Sequence, residues 1–133
     1  MTMVIDASVA ALWVLPQPGS ERAAALRSQD RLIAPTLVAA EIGSALWKAA
    51  RRGDLSGADA LVALDIALRH FDALVPLEEQ RARALELAIE LQHPIYDCFY
   101  LALAEGEKCP LVSADARLLA KRRTLKRIEL RKL

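Results

Sequence analysis

The stretch Met3-Val4-Ile5-Asp6-Ala7-Ser8 places a carboxylate directly after a short apolar run. An apolar run of this length, bounded by a polar turn, is typical of a strand buried on both faces of a parallel sheet. Acids stand in apolar surroundings at three further positions, namely Glu41, Asp97 and Asp115. An isolated buried carboxylate costs on the order of several kcal/mol, and hard divalent cations are partners that offset this cost. The four acids therefore predict a metal-dependent site.

The composition is that of an ordinary globular domain. The chain has 133 residues, of which 54% are hydrophobic but only 5% aromatic, so Ala and Leu supply most of the apolar mass and favour a helix-rich protein. We expect a single domain over residues 1–133, long enough to bury well over half of its unfolded surface without disulfide or metal staples. The charged fraction of 26% argues against disorder, and the net charge of +1 argues neither for nor against a nucleic-acid partner.

Signals for secretion or membrane insertion are missing from the sequence. The first residues do not resemble a secretory signal peptide, and no apolar run reaches the roughly 20 residues that span a membrane. Cys98 and Cys109 lie in no CxxC or Cys/His pattern. We therefore expect buried thiols, a reducing compartment and a cytoplasmic protein.

Short apolar runs alternate with longer amphipathic ones along the chain. This alternation predicts an α/β fold, in which a parallel sheet carries helices on both faces. Strands are expected at residues 1–5, 31–34, 73–77, 110–113 and 127–130, and helices at 8–15, 21–28, 35–52, 56–70, 78–91, 95–105 and 116–123.

Capping and breaking residues support these boundaries. Ser20 and Ser56 are expected to be N-caps, Pro35 to lie in the first turn of a helix, and Gly53 and Gly106 to end helices. Pro76 falls inside the third strand and predicts that this strand lies at an edge of the sheet, because proline cannot donate a ladder hydrogen bond.

The predicted elements bring the four acids to one edge of the sheet, where parallel α/β folds bind their ligands. Asp6 directly follows the first strand, and Asp115 lies just past the fourth. Glu41 is two turns into the helix after the second strand, and Asp97 is in the first turn of the helix that begins at Ile95. All four carboxylates can therefore converge beyond the carboxyl ends of the strands.

The order of four short motifs in this chain resembles that of a known protein family. The chain has Asp6 followed by Ala7-Ser8-Val9, Glu41 in a long helix, then Tyr96-Asp97-Cys98, and finally Leu111-Val112-Ser113-Ala114-Asp115. This order resembles a PIN domain and, more narrowly, the VapC-type toxins of bacterial toxin–antitoxin pairs. The resemblance covers essentially the whole chain. It implies a PIN-like three-layer α/β/α sandwich with a central, mostly parallel sheet of about four to five strands.

The resemblance also implies roles for individual residues. Asp6, Glu41, Asp97 and Asp115 match the family's acidic quartet, which is both catalytic and the holder of Mg²⁺ or Mn²⁺. Ser8 and Ser113 match the small hydroxyl positions beside the first and last acids, and serine at 113 replaces the threonine found elsewhere in the family. Arg117 could contact a scissile phosphate, or it could be an exposed helix arginine.

The implied activity is that of an endoribonuclease toxin of a type II pair, which leaves 5′-phosphate and 3′-hydroxyl ends on RNA. The implied partners are a VapB-like antitoxin and a second copy of the chain, in a homodimer and a toxin–antitoxin hetero-oligomer. The helices at 35–52 and 56–70 are the candidate protein-contact surface, although both could simply cover the sheet.

The chemistry of such a site follows from charge. Carboxylates repel a phosphodiester, whereas a divalent cation reverses the local sign, polarises the phosphoryl oxygen and acidifies its bound water for attack on phosphorus. Because Mg²⁺ keeps several waters, we expect about two acids to contact it and the others to orient water. The chain has only two histidines, so a histidine acid–base pair is poorly supported.

Each acid also has a structural interpretation. Asp6 could form a turn, Glu41 could pair with a buried arginine, Asp97 could favour a helix dipole and Asp115 could cap the following helix. Two other functions stay open: a receiver-like domain phosphorylated on Asp6, and a catalytically silent module that binds RNA or protein. Against the first, Asp6 has no adjacent acid on its strand.

Basic and aromatic residues offer further candidate contacts. Residues 121–133 contain seven Lys or Arg and one acid, Glu129, which indicates either phosphate steering or a solvated end of the chain. Trp13 and Trp47 could stack on bases, but packing is the expected role. His70 and His93 are expected to be structural.

Overall fold

The computed structural model describes residues 1–28 and 31–133, and a parallel sheet forms its centre. The strands are β1 (Thr2–Ile5), β2 (Arg31–Pro35), β3 (Ala73–Val75), β4 (Leu111–Ser113) and β5 (Leu130–Lys132). The helices are α1 (Ala7–Ala10), α2 (Ser20–Leu26), α3 (Leu37–Arg51), α4 (Gly57–Arg69), α5 (Arg81–Leu91), α6 (Ile95–Glu107) and α7 (Ala116–Leu119), with 3₁₀ turns at Ala11–Trp13, Leu77–Glu79 and Arg122–Thr124.

The strand order is β3-β2-β1-β4-β5, and every neighbouring pair is parallel. The three central strands are almost entirely buried: Val4, Ile5, Leu32 and Leu111 have no exposed surface. Continuous apolar burial is what a parallel strand needs when helices cover both sides of its sheet. The predicted α/β fold class is therefore confirmed, and β3 is an edge strand as predicted, although it ends at Val75 and Pro76 follows it instead of lying inside it. No helix in the described part of the chain is long and apolar enough to cross a membrane.

The register of the central strands positions the site. Val4 is paired with Ile33 of β2, and Ile5 with Val112 of β4, so the carboxyl ends of these three strands lie side by side. The N–H of Asp6 donates to the carbonyl oxygen of Val112 at 3.1 Å. Segments that follow the strands at this edge therefore start close together, which is where parallel sheets place ligand-binding residues.

Two predicted boundaries fail because backbone hydrogen bonding overrides a local signal. Pro35 ends β2 instead of opening a helix, and α3 begins at Leu37. The β1 ladder already stops at Ile33, so the missing N–H of Pro35 interrupts no bond between those strands. Ser20 is the first residue of α2 and not its cap: its Oγ accepts the N–H of Gln17 at 3.0 Å, and Gly19 takes the N-cap position with φ +97°.

Other elements differ in extent. Gly106 lies inside α6, which ends at Glu107, and Lys108 adopts the left-handed conformation instead. The last strand is 130–132 and not 127–130, because Leu130 and Lys132 pair with Leu111 and Ser113. The expected helices at 8–15, 78–91 and 116–123 are each divided into a shorter α-helix and a 3₁₀ turn.

The predicted end of α3 at Gly53 and the predicted N-cap of α4 at Ser56 are both confirmed. The N–H of Asp59 donates to Ser56 Oγ at 3.0 Å, so Ser56 caps α4. Gly53 follows α3 with φ +83°, a conformation that residues with a Cβ rarely adopt. These two residues define the turn between α3 and α4.

We expect Ser56→Ala to lower the free energy of unfolding by about 1 kcal/mol, because it leaves one N–H at the start of α4 without its acceptor. Urea denaturation of the full chain measures the loss. Ser28→Ala is the matched control, since the exposed Ser28 hydroxyl makes one hydrogen bond, to the carbonyl oxygen of Ala25, and accepts no N–H at the start of a helix. Equal losses in the two variants would contradict the capping role of Ser56.

Candidate active site

Asp6 is the most buried of the four acids, with 3% of its surface exposed. Its Oδ2 accepts hydrogen bonds from Ser8 Oγ at 2.9 Å and from Ser113 Oγ at 2.7 Å. Asp6 occupies the N-cap position of α1 and its carbonyl oxygen accepts from Val9 and Ala10, but its side chain makes no capping bond to that helix. Burial raises the pKa of Asp6, the two hydroxyls oppose that shift, and the charges of Asp97 and Asp115 reinforce it.

The two serines connect the end of β1 to the segment after β4. Ser113 is fully buried, and its Oγ also accepts the N–H of Asp115 at 3.0 Å. Ser8 Oγ accepts the N–H of Ala114 at 3.0 Å. Each hydroxyl therefore donates to Asp6 and accepts from the loop that carries Asp115, so one small network sets the positions of two acids.

Glu41 extends from the second turn of α3 toward α6. Tyr100, which is fully buried, donates its hydroxyl to Glu41 Oε1 at 2.6 Å. Partial burial raises the pKa of Glu41, the tyrosine hydrogen bond opposes the shift, and Asp6, Asp97 and Asp115 reinforce it. The contact that holds this carboxylate is thus a tyrosine and not the buried arginine considered from the sequence.

Asp97 lies in the first turn of α6, as predicted. Its Oδ2 is 2.6 Å from Nε2 of His93, and the side chains of the two residues are only 17% and 4% exposed. The prediction that His93 is only a loop residue is therefore incomplete, because its ring contacts one of the four acids.

Asp115 is the N-cap of α7. Its Oδ1 accepts the N–H of Arg117 at 2.8 Å and that of Leu118 at 3.4 Å, so the capping role foreseen as an alternative is present. The side chain of Arg117 is exposed, as the more conservative interpretation of that residue expects. Capping uses only Oδ1, so Oδ2 of Asp115 remains available for another contact.

The four carboxylates share one pattern. One oxygen of each accepts hydrogen bonds from the protein: Asp6 Oδ2, Glu41 Oε1, Asp97 Oδ2 and Asp115 Oδ1. Among the described residues, the other oxygen of each has no hydrogen-bond partner, and none of these oxygens is a fully buried polar atom. Each acid is therefore held through one oxygen, and its other oxygen is left without a partner in the described part of the chain.

The donor set fits a hard divalent cation bound partly through water. In residues 1–28 and 31–133, no three His, Cys, Asp or Glu side chains are close enough together to hold a metal ion directly. Mg²⁺ does not need such a cage, because it keeps several waters and takes one or two carboxylates. Four carboxylates, each with one unpartnered oxygen and close enough together to raise the pKa values of Asp6 and Glu41, are consistent with that mode of binding.

Two residues of this site were missed in the sequence, although their spacing carried a signal. His93 and Tyr100 lie four residues before and three residues after Asp97. Residues three and four apart on a helix are neighbours, so both were candidates for contact with an acid on α6. The tyrosine instead crosses to Glu41 on α3.

The aromatic and thiol predictions have mixed outcomes. Trp13 packs against His70 and Phe71 and donates its Nε1–H to Ala23, as expected of a structural tryptophan. The packing prediction is wrong for Trp47, which is 57% exposed and stacks only under the guanidinium of Arg51. Cys98 is buried and Cys109 half-buried, and both are free thiols.

Comparison with known proteins identifies the family. A family model described as "PIN domain" matches residues 3–124. The chain is 40% identical over 116 residues to "VapC ribonuclease Mb0985" of Mycobacterium bovis, covering 87% of each protein. It is 35% identical over 124 residues to "Ribonuclease VapC3" of Pyrobaculum aerophilum, covering 91% of this chain and 95% of the relative. The chain is a VapC-type member of the PIN-domain family.

A solved structure agrees with this assignment at the level of the fold. The crystal structure of VapBC2 from Rickettsia felis, bound to a DNA fragment from its promoter, superposes on this VapC-type protein with a TM-score of 0.75. The match covers 100% of this chain and 99% of the other at 16% identity. The resemblance stated from the sequence is therefore confirmed for the family and the fold.

We expect Asp6→Asn to stabilise the metal-free protein at neutral pH. The amide oxygen of asparagine can still accept the two serine hydroxyls, while a buried, repelled charge is removed. Because the folded-state pKa of Asp6 is raised above 3.8, the stability linked to this group is fully present below pH 3.8 and is lost as the pH rises through the raised value. Asparagine does not undergo that loss.

Thermal melts in EDTA measure this effect. The melting temperature of the variant should exceed that of the wild type at pH 8, with a gain of 1 kcal/mol appearing as roughly 3–6 °C. The difference should shrink as the pH is lowered toward 4. An unchanged or lower melting temperature at pH 8 would contradict the burial and repulsion described for Asp6.

Proposed function

We propose that this VapC-type protein is a Mg²⁺- or Mn²⁺-dependent endoribonuclease, a single domain that acts in the cytoplasm as the toxin of a type II toxin–antitoxin pair. The observation that carries the proposal is the group of four carboxylates beyond the carboxyl ends of the strands, each held through one oxygen while the other has no hydrogen-bond partner among the described residues. Relatives that are named ribonucleases, at 35–40% identity over at least 87% of the chain, support it.

The cation would be held within the group of Asp6, Glu41, Asp97 and Asp115, by direct contact with one or two of the carboxylates and through water to the others. When bound, it supplies the positive charge that a phosphodiester needs beside four acids, and it acidifies water. The protein contributes fixed carboxylate positions, because hydrogen bonds from Ser8, Ser113 and Tyr100 restrict the rotation of Asp6 and Glu41.

A groove beside Glu41 provides a path for the rest of an RNA strand. The groove has a volume of about 380 Å³ and is lined by Leu15, Gln17, Glu41, Ser44, Ala45, Lys48 and Arg52. Lys48 lies seven residues after Glu41, which is about 10 Å along the axis of α3. The cations therefore lie beyond the acids, where they could bind phosphates that flank the cleaved bond.

The basic residues of the segment 121–133 are divided between the amino ends and the carboxyl ends of the strands. The N–H of Leu111 donates to the carbonyl oxygen of Glu129, so Lys126 and Arg127 lie toward the amino end of β4. That end is opposite the edge where Asp115 follows the same strand. Lys132 is paired with Ser113 and lies nearer the acids. Phosphate steering by the whole segment is therefore a weaker proposal than binding in the groove of Lys48.

A VapB-like antitoxin is the proposed protein partner, and a homodimer the proposed assembly. The hairpin of α3 and α4 carries exposed apolar side chains at Trp47, Leu61, Val62 and Ile66, with exposed fractions of 57%, 71%, 57% and 42%. An apolar patch of this kind is typical of a protein-contact surface. The structural relative from Rickettsia felis is itself a VapBC assembly, which supports the proposal.

We expect Asp6→Asn and Asp97→Asn to abolish cleavage of single-stranded RNA and growth inhibition, while the fold is retained. Cleavage by the wild type should require Mg²⁺ or Mn²⁺, stop with EDTA and leave 5′-phosphate ends. Asp65→Asn is the matched control, because Asp65 is an exposed acid on α4. Full activity in either site variant would refute the assignment. A protein that binds neither cation at millimolar concentration would instead be a silent binding module.

We expect Lys48→Glu with Arg52→Glu to weaken RNA binding at least tenfold and to reduce its salt dependence, since two phosphate contacts are lost. Fluorescence anisotropy with a labelled RNA measures this in the cleavage-deficient Asp97→Asn background, at several salt concentrations. Lys126→Glu with Arg127→Glu changes the net charge equally at the other edge of the sheet and should have a smaller effect. Equal losses in both pairs would indicate only non-specific attraction.

A further inference from the structure

His93 forms the shortest contact between a basic side chain and the four acids. Its Nε2 is 2.6 Å from Asp97 Oδ2, and the residue is 7% exposed. An ionised carboxylate can only accept, so the proton of this bond resides on Nε2 whatever the charge of the ring. The imidazole therefore acts as a donor to one chosen oxygen of Asp97.

The turn between α5 and α6 fixes the position of this donor. Gln92 ends α5 in the left-handed conformation with φ +50°, and the N–H of His93 donates to the carbonyl oxygen of Ala88 at 3.2 Å. Pro94 then takes the N-cap position of α6 with its restricted φ. The backbone on both sides of His93 is thus constrained, and the ring is set against the first turn of α6.

The hydrogen bond determines which oxygen of Asp97 is free. With Oδ2 occupied by His93, Oδ1 is the oxygen left without a hydrogen-bond partner in the described residues, like the second oxygens of the other three acids. Partners that hydrogen-bond to metal-ligating carboxylates fix the orientation of the ligand, and their loss typically lowers metal affinity by about 10–100-fold. Asp6 and Glu41 are held in the same way by hydroxyl groups.

We propose that His93 is the positioning residue for Asp97: its Nε2–H holds Oδ2, which presents Oδ1 to a divalent cation at the four-acid site. This inference rests on the proposed function, because it presumes that the acids bind a metal. It assigns His93 no contact with the cation and no proton transfer. It also predicts that a different side chain with a donor at the same reach can replace the imidazole.

The test compares His93→Gln with His93→Leu in the full chain. The amide N–H₂ of glutamine can reach Asp97 as a donor, whereas leucine keeps the apolar bulk and cannot donate. Calorimetric titration with Mn²⁺ should show affinity lowered by about 10–100-fold for leucine and by no more than about threefold for glutamine. In the Asp97→Asn background, adding His93→Leu should cause no further loss.

Two controls separate positioning from folding. Thermal melts in EDTA report whether the variants fold, and only folded variants are compared in the titration. His70→Leu removes the other histidine, which contacts Trp13 and Arg27, and should leave Mn²⁺ affinity unchanged. A purely structural His93 predicts lower melting temperatures for leucine and glutamine alike, with unaltered Mn²⁺ affinity in both.

The possible failures are distinguishable. Wild-type affinity in His93→Leu, or equal losses with leucine and glutamine, overturns the role of His93 and leaves the ribonuclease proposal standing. A wild type that binds Mn²⁺ but cleaves no RNA overturns the ribonuclease proposal and leaves the positioning role standing. A wild type that binds no Mn²⁺ overturns both.

Discussion

Mutual repulsion among four carboxylates is the constraint on which the rest of this site depends. Asp6 is almost fully buried, and the charges of Asp97 and Asp115 raise its pKa in addition to the effect of burial. Glu41 is affected by the other three in the same way. Such an arrangement lowers the stability of the metal-free protein at neutral pH, so it persists only because hydrogen bonds and the surrounding core hold the acids in place. A function that needs the acids together explains this cost.

The parallel sheet supplies this rigidity. β1 and β4 are neighbours that end at the same edge, and the hydroxyl network of Ser8 and Ser113 joins the residues that follow them. Asp97 and Glu41 come from helices, where a neighbouring ring or phenol replaces the serine hydroxyls as the donor. In all four acids, one oxygen is held by a hydrogen bond and the other has no partner among the described residues. The donors are serine hydroxyls, a tyrosine hydroxyl, a histidine ring and, for Asp115, the N–H groups at the start of α7.

The sequence predicted the parts of the fold that depend on burial, and it failed where hydrogen bonding between distant segments decides. The apolar runs at β1, β2 and β4 and the cap at Ser56 were predictable because each signal is local. The role of Pro35 at the end of β2 and the shift of β5 to 130–132 were not, because they depend on which ladder positions are still paired. In the same way, the acids were recognisable as residues out of place, whereas their donors were not. A tyrosine in an apolar helix and a histidine before proline look ordinary until the other partner is known.

The distribution of positive charge completes the physical account. The charged groups that shift the pKa values of Asp6 and Glu41 are other acids, whereas Arg83 forms an ion-pair cluster with Glu105, Glu86 and Glu90 on α5 and α6. Lys48 and Arg52 lie about two and about three helical turns beyond Glu41 and line the same groove. An arginine next to the acids would lower their pKa values and compete with a divalent cation for the same oxygens. The hydrogen bonds to the four acids come from hydroxyls, backbone N–H groups and the His93 ring, which leaves the acids available to a metal, and a cationic side chain from a bound partner would inactivate the proposed site by competing for the same oxygens. This one electrostatic property therefore accounts both for the proposed catalysis and for its proposed control by an antitoxin.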